Sequence, residues 1–464
     1  GFKEGDDLTQ SPEKVGLVDG STSLTFTGNT QLSPYIYGDI YGGGNLAQVS
    51  GDTHINIYAA HFAGQIFGGG NGKIDTNTTT NTTTTTSADI LGNTHVTLSR
   101  DYGGQEDGED SKKKDNFSIN VIWNKIWDST NKKFIEWTDA DTKEENDNFF
   151  KDGKFINPHN IYGGGNLACK VTGVATVEVL KGMTPFELLE TQQWKSSYTD
   201  NKNPHFSVFG GGYGANTQVG STDVTVNVEG DYGVYDAEVD DNTDQLARPH
   251  TKNNKNKARK AARSGTSEQK DNNTLPVFDN SKGIPNFTVL GVLGGGYAGT
   301  VIDSTLVTVD GQTFLHRVYG GGFGDPDATS ENDATGLVGG DAKVYIKGAK
   351  IYGDVFGGGA GVAPKSTSDT SNPYTYFTKV ARVNGTAMVK ISDDAKVYGN
   401  VYGGGDMANV GEAITDRPAN YYASLPTSES EIDQSTAAFK SYTATNYKTF
   451  VNIIGGDIYG EVFG

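Results

Sequence analysis

Short runs of alternating apolar and polar residues recur along the chain. In Thr53-His54-Ile55-Asn56-Ile57, residues Thr53, Ile55 and Ile57 fall on one side and Asp52, His54 and Asn56 on the other. That is the period of two of a half-buried strand, and its β-branched residues suit a pleated surface. The pattern is glycine, any residue, Thr or Ala, any residue, aliphatic, any residue, aliphatic. Copies start at Gly20, Gly51, Gly92, Gly173, Gly220, Gly340 and Gly385, while Asp303 and Tyr447 replace the glycine in two more.

A second motif alternates with the first. An aliphatic residue and then usually an aromatic one precede three glycines: Ile40-Tyr41, Ile66-Phe67, Ile161-Tyr162, Val208-Phe209, Val292-Leu293, Val318-Tyr319, Val355-Phe356 and Val401-Tyr402. A ninth copy stands at Val462-Phe463-Gly464. The strand start precedes the glycine motif by 17 residues at Gly51, Asp303, Gly340 and Tyr447, and the next strand follows 9 residues after Gly42 and Gly294. These spacings define a unit of about 26 residues, repeated nine times.

One such unit cannot bury its apolar side, but stacked units can, at about 4.8 Å per strand. The glycines permit positive φ at corners and close backbone approach. The pattern therefore predicts an all-β chain folded as a right-handed parallel β-helix (β-solenoid) of about nine units, about 43 Å long. A β-propeller, with blades of about 40–50 residues, is the other architecture considered; the 26-residue period opposes it. The chain, 1–464, reads as one solenoid. It has neither a secretory h-region nor a capping repeat at either end, so a longer parent protein is expected.

The remaining sequence lies in insertions of two classes. Residues 99–156, 181–204 and 229–287 fall between strand and glycine motif; 71–88, 323–338, 361–382 and 406–445 follow the glycines. Stacking would place each class along one edge, where recognition loops are expected.

Composition narrows the classes of function. The 57 acidic and 38 basic residues give a net charge of −19, which opposes nucleic-acid binding. No window approaches the roughly 18 apolar residues of a membrane span. The single cysteine, Cys169, excludes a disulfide scaffold and reads as a small packed residue. Glycine makes up 63 of 464 residues, without the every-third-residue period of collagen.

Candidate binding residues sit in the insertions. Trp123, Trp127, Trp137 and Trp194 are all the tryptophans of the chain. They either pack the inserts onto the solenoid or form an aromatic platform for a glycan or protein partner, since an aromatic with one wet edge serves both uses. Residues 122–137 read as a hairpin around Asp128-Ser129-Thr130-Asn131. The Thr78–Thr86 tract reads as a solvated loop open to glycosylation. Arg248, Lys252, Lys255, Lys257, Arg259, Lys260 and Arg263 form a basic run, read as a solvated loop.

Candidate chemistry is sparse. His54 and His95 occupy the same position in neighbouring units, roughly 5 Å apart, but a metal pair needs further ligands and the sequence supplies none. Asp354 and Glu461 fall in one column roughly 10 Å apart, near the separation of an inverting carboxylate pair. The Gly324–Glu331 loop is similar to a calcium loop only in its acidity. No nucleotide loop or nucleophile elbow is present. The aromatic column before the glycines reads as a stabilising ladder, with a sugar-binding surface stack as the alternative.

The phrase Ile-Tyr-Gly-Gly-Gly-Asn-Leu-Ala, at Ile40–Ala47 and Ile161–Ala168, resembles glycine-rich repeat proteins of gut Bacteroidetes, which look like adhesin-type β-helix proteins of the cell surface. The resemblance covers the core units only. It implies an extracellular location and attachment to a host or microbial surface glycan or protein, and it transfers no catalytic residue. The expectation is thus a binding module without cofactor. A polysaccharide lyase or hydrolase and a purely structural stalk are the alternatives.

Overall fold

A computed structural model describes residues 16–27, 34–36, 38–58, 60–62, 64–99, 119–121, 125–128, 133–136, 160–180, 206–227, 289–311, 313–330, 333–351, 353–366, 374–375, 377–411 and 448–464. Those residues are all-β: among them there is no helix, and hence none long and apolar enough to cross a membrane.

Two large parallel sheets dominate. The first follows chain order through Thr22–Phe26, Thr53–Ile57, Thr94–Leu98, Lys170–Val179, Gln218–Val226, Thr305–Asp310, Ala342–Lys347, Ala387–Ser392 and Thr449–Ile453. These are the nine predicted strands, and each pairs with the next in the predicted register, for example Thr53↔Thr94 and Ile55↔Val96. The second sheet carries the residues before the glycines, for example Ile40↔Ile66 and Tyr41↔Phe67. Strands of successive units are neighbours throughout, as a stacked array requires. Isolated parallel bridges continue the stacking at the corners: Asn45–Asn71–Asn166–Tyr213–Tyr297–Phe323–Ala360–Asp406 and Val18–Val49–Ile90–Val171. The second-class insertions 71–88, 323–338 and 406–445 therefore open with residues that still belong to the array.

The alternating pattern decides which side is buried. Ile55, Ile57, Val96, Leu98, Val177 and Val179 point inward with no exposure, against Ile66, Ile161 and Val208 of the second sheet. Parallel pairing is maintained because every unit offers the same inward residues to its neighbour; a slip of one residue would turn them all to water.

The Thr-or-Ala position has a specific cause. The hydroxyls of Thr22, Thr53, Thr94, Thr222 and Thr305 donate to the carbonyls of Gly42, Gly68, Gly163, Gly294 and Gly320, each at 2.6 Å. The donor and acceptor lie in opposite sheets. The bond satisfies a carbonyl that would be costly to bury unpaired.

The triple glycines serve close approach alone. None of them has positive φ; that conformation falls instead on Leu46, Leu167, Ala298, Met407 and Gly214, just after the bridge column. The expectation of positive-φ glycines at corners holds at Gly214, with φ 102°, and not at the triple glycines. A Cβ on Gly42, Gly68, Gly163, Gly210, Gly294 or Gly320 would lie below 3.0 Å from the carbonyl oxygen of the glycine one unit on. The glycines are conserved along the array because backbone stacks on backbone.

The aromatic residues before the glycines form an interior ladder. Tyr41, Phe67, Tyr162 and Phe209 stack at 4.9–5.1 Å, and Tyr319, Phe356, Tyr402 and Phe463 at 4.7–5.0 Å. Leu293 interrupts the ladder, and there a second stack, Tyr213–Tyr297–Phe323, presents Tyr297 edge-on to Phe209. Phe67, Tyr162, Phe209 and Tyr319 are buried, so the alternative of a sugar-binding surface stack is overturned for this column. Even where such a ladder reaches water, its rings cover one another's faces.

Cys169 is buried, and the Gly70 N–H donates to its Sγ at 3.4 Å. Burial pushes the thiol up to about 12. Native protein at pH 8 should therefore leave a thiol reagent unreacted for hours, then release one equivalent of signal on unfolding, because only the thiolate attacks. Prompt labelling of native protein would contradict this packing.

One loop expectation changes. Thr82–Thr86 is a strand, paired antiparallel with Lys73–Asn77. The β-branched threonines favour extended backbone, and the Asn77 carboxamide oxygen accepts the N–H groups of Thr79 and Thr80 at the turn. In the Gly324–Glu331 loop, the carbonyls of Ala328 and Pro326 accept bonds from the Lys365 ammonium at 2.5 and 3.1 Å.

Candidate functional site

The outward side of the first sheet is polar by the same alternation that makes its inward side apolar. Across its first five strands, register places Ser23, His54, His95, Thr176 and Asp223 in one column. Thr25, Asn56, Thr97, Glu178 and Thr225 form the next. Hydroxyls, an amide, imidazoles and carboxylates thus stand at about 4.8 Å across the strands and about 6.6–6.8 Å along them. No lysine or arginine occupies either column.

The groups are organised. The imidazoles of His54 and His95 stack with centroids 4.7 Å apart and planes within 2°. The Thr97 hydroxyl donates to Glu178 Oε2 at 3.2 Å. Asp52 Oδ1 accepts the Asn93 backbone N–H, and Asn93 Oδ1 in turn accepts that of Val174, so this edge is held by side-chain acceptors bonded to the next strand. His95 is lowered from the usual histidine range, chiefly by burial and then by His54, with Asp52 and Glu178 opposing. Asp223 is raised, chiefly by burial and then by the negative charge of Glu178.

The three first-class insertions leave the sheet beside this face. Residues 99–156, 181–204 and 229–287 follow the C-terminal ends of the adjacent strands Thr94–Leu98, Lys170–Val179 and Gln218–Val226. Part of the first insertion returns to the array: Ile119–Val121 pairs parallel with Ala60–Phe62. The expected hairpin is present in its paired strands, Lys125–Asp128 antiparallel to Lys133–Glu136, with Trp127 opposite Phe134. Trp123, Trp137, Trp194, the 129–132 turn and the basic run at 248–263 lie outside the described residues, as does the side chain of Trp127.

The other sequence candidates separate. Asp354 and Glu461 have Asn400 between them: Asp354 Oδ1 accepts the Asn400 backbone N–H at 2.7 Å, and Asn400 Oδ1 accepts that of Glu461 at 2.8 Å. Asp39 and Asn160 make the same bond to Gln65 and Ser207. The column is thus a backbone-capping ladder, which explains its Asp and Asn residues. The Glu178–Asp223 pair escapes a column-by-column reading because the two acids lie on a diagonal, in different columns of adjacent strands. Asn45, Asn71 and Asn166 form an amide ladder through side-chain bonds of 2.9 and 3.0 Å; their recurrence after the triple glycine was the available signal. Among the described residues, no three His, Cys, Asp or Glu side chains converge on a common metal position.

A scan against protein-family models, a search of curated proteins and a search of solved structures each returned no match to this chain.

Proposed function

We propose that this chain is an extracellular, cell-surface binding module of adhesin type: a right-handed parallel β-helix that recognises a glycan with its decorated outer face. The observation that carries this reading is the coincidence of the polar columns with the exits of the three first-class insertions, two of which hold every tryptophan of the chain. Hydroxyl, amide and carboxylate groups fixed on a sheet lose little freedom on binding. Tryptophans from flanking segments would add apolar area to match the sugar rings. The resemblance of Ile40–Ala47 and Ile161–Ala168 to surface proteins of gut Bacteroidetes fits the same reading.

A glycan array probed with the purified chain tests it. Defined glycans should bind, and Thr176→Arg, Trp123→Ala and Trp137→Ala should each weaken binding at least ~10-fold with an unchanged melting temperature, as expected when buried contact groups are lost. A blank array, or binding indifferent to all three variants, would overturn glycan recognition at this face and favour a protein partner or a stalk. A second reading, polysaccharide cleavage, draws on the Glu178–Asp223 pair, whose Cα atoms the register sets about 8 Å apart. Release of new reducing ends from an array-positive polysaccharide would favour it.

A further inference from the structure

We infer that Lys343, Tyr345, Lys347 and Lys390 form a cationic subsite for an acidic polysaccharide, one in which sugars bearing carboxylates or sulfates alternate with neutral ones. The inference rests on the glycan reading above and adds a second contact further along the same sheet face. That face changes character along the array. Over the first five strands its two columns hold no lysine or arginine. Strands Ala342–Lys347 and Ala387–Ser392 instead turn Lys343, Tyr345, Lys347, Met388, Lys390 and Ser392 outward, and neither strand contains an acid.

Register fixes the arrangement. Tyr345 pairs with Lys390, Lys343 with Met388 and Lys347 with Ser392. Lys390 is therefore opposite Tyr345 and diagonal to both Lys343 and Lys347, with Cα atoms about 8 Å apart. Three lysines thus flank one tyrosine. Lys390 Nζ lies 5.8 Å from the Tyr345 ring centroid, within cation–π range. That contact orders the side chain before a ligand arrives and lowers the cost of binding. Among the described residues, none of the three lysines pairs with a carboxylate. Of the acids beside the patch, Asp310, across from Lys347, accepts the Gly311 N–H, Asp341 accepts the Thr386 N–H and Asp393 accepts the Ser392 hydroxyl. Asp394 stands further out in the exposed turn.

A sugar ring finds partners beside the charges. Thr308, Tyr345, Lys390 and Asn452 form one row across four strands, so hydroxyl and amide groups alternate with the cation. Phe450, 41% exposed, stands across from Met388 in the neighbouring row and offers apolar area to a ring. Ammonium groups would meet the acidic substituents as point charges. A nucleic acid carries a phosphate on every residue and meets the field of the chain's net charge of −19 more fully than a polysaccharide with spaced acids does.

The test titrates the full chain into fluorescently tagged hyaluronan and chondroitin sulfate oligosaccharides, with a neutral chitin oligosaccharide alongside. At least one acidic probe should bind, and binding should weaken at least ~10-fold between about 50 mM and about 500 mM sodium chloride, since exposed charges are screened over that range. A Lys343→Gln/Lys347→Gln/Lys390→Gln variant should bind at least ~10-fold more weakly at an unchanged melting temperature. Lys73→Gln, on the Lys73–Asn77 strand and paired with Asp75, should bind as the parent does. Failure of both acidic probes to bind, or binding indifferent to the triple variant, would overturn the subsite. A thymidine oligonucleotide of equal charge that binds as tightly would overturn its assignment to a glycan. The two readings fail separately: neutral glycans bound through Thr176 without hyaluronan or chondroitin sulfate binding sink the lysine subsite alone, whereas lysine-dependent binding with no neutral glycan bound sinks the polar-column reading and leaves the subsite standing.

Discussion

Gly294→Ala should destabilise the protein by about 3 kcal/mol, at the upper end of overpacking costs. The added methyl would lie below 3.0 Å from both the Gly320 carbonyl oxygen and Thr305 Cβ. Both belong to the next unit, where the first is backbone and the second is anchored to it, so neither moves without displacing a strand. The same change strains the Thr222 hydroxyl bond to the Gly294 carbonyl. Gly404→Ala is the internal control, since a Cβ there meets nothing within 4 Å, and its cost should stay within about 0.5 kcal/mol, like other substitutions that touch nothing. Urea unfolding checks the pair: the Gly294 variant should lose midpoint at unchanged slope. Equal midpoints for the two variants would refute the account of the glycines as backbone-stacking positions.

Tyr162→Ala should cost about 4 kcal/mol, as large aromatic truncations in a core do. Tyr162 is buried and stacks at 4.9 Å on both Phe67 and Phe209. Tyr213 meets its edge at 5.7 Å. Truncation leaves a cavity in the middle of the ladder, and the rungs above and below cannot collapse into it because backbone pairing fixes their spacing. Tyr162→Phe keeps the ring and loses the hydroxyl that accepts a bond from the Asn160 amide at 3.3 Å, so its cost should be about 1 kcal/mol. Thermal unfolding of the two variants provides the comparison. A Tyr162→Ala protein as stable as Tyr162→Phe would mean the aromatic column is decoration and the aliphatic residues alone hold the array.

The repeat was legible for reasons that these two experiments probe. A parallel stack imposes the same environment on the same position of every unit, so its demands recur in sequence. Ile55 and Val96 share a register position and a burial state, as do Tyr162 and Phe209. The role of the glycines was half legible. Their close approach followed from composition, but only Gly214 takes the positive-φ corner, and Leu46, Leu167, Ala298 and Met407 hold it in other units, against the usual preference of such residues. The threonine tract misled because low complexity is shared by loops and by exposed hairpins, and the Asn77 turn bonds are invisible until the chain reverses.

The candidate site was legible only in part. The stacking of His54 and His95 followed from the repeat, and their ring geometry agrees with it. The approach of Glu178 to Asp223 did not, because they hold different positions of their units and meet only on a diagonal between adjacent strands. Asp354 and Glu461 stood out in sequence as acids, yet Asp354 is spent on the Asn400 backbone N–H.

The sequence by itself determined the strands, their register and the residues that face inward, because a period of two and a unit of about 26 residues allow only one in-register stack that turns the repeated apolar side of each strand inward. Only the tertiary structure decided what the polar groups do. Whether a carboxylate caps a neighbouring strand, as at Asp354 and Asp52, or stands on an open face, as at Asp223, depends on which backbone N–H lies within about 3 Å of it. That distance is set by corners and unit boundaries rather than by residue type.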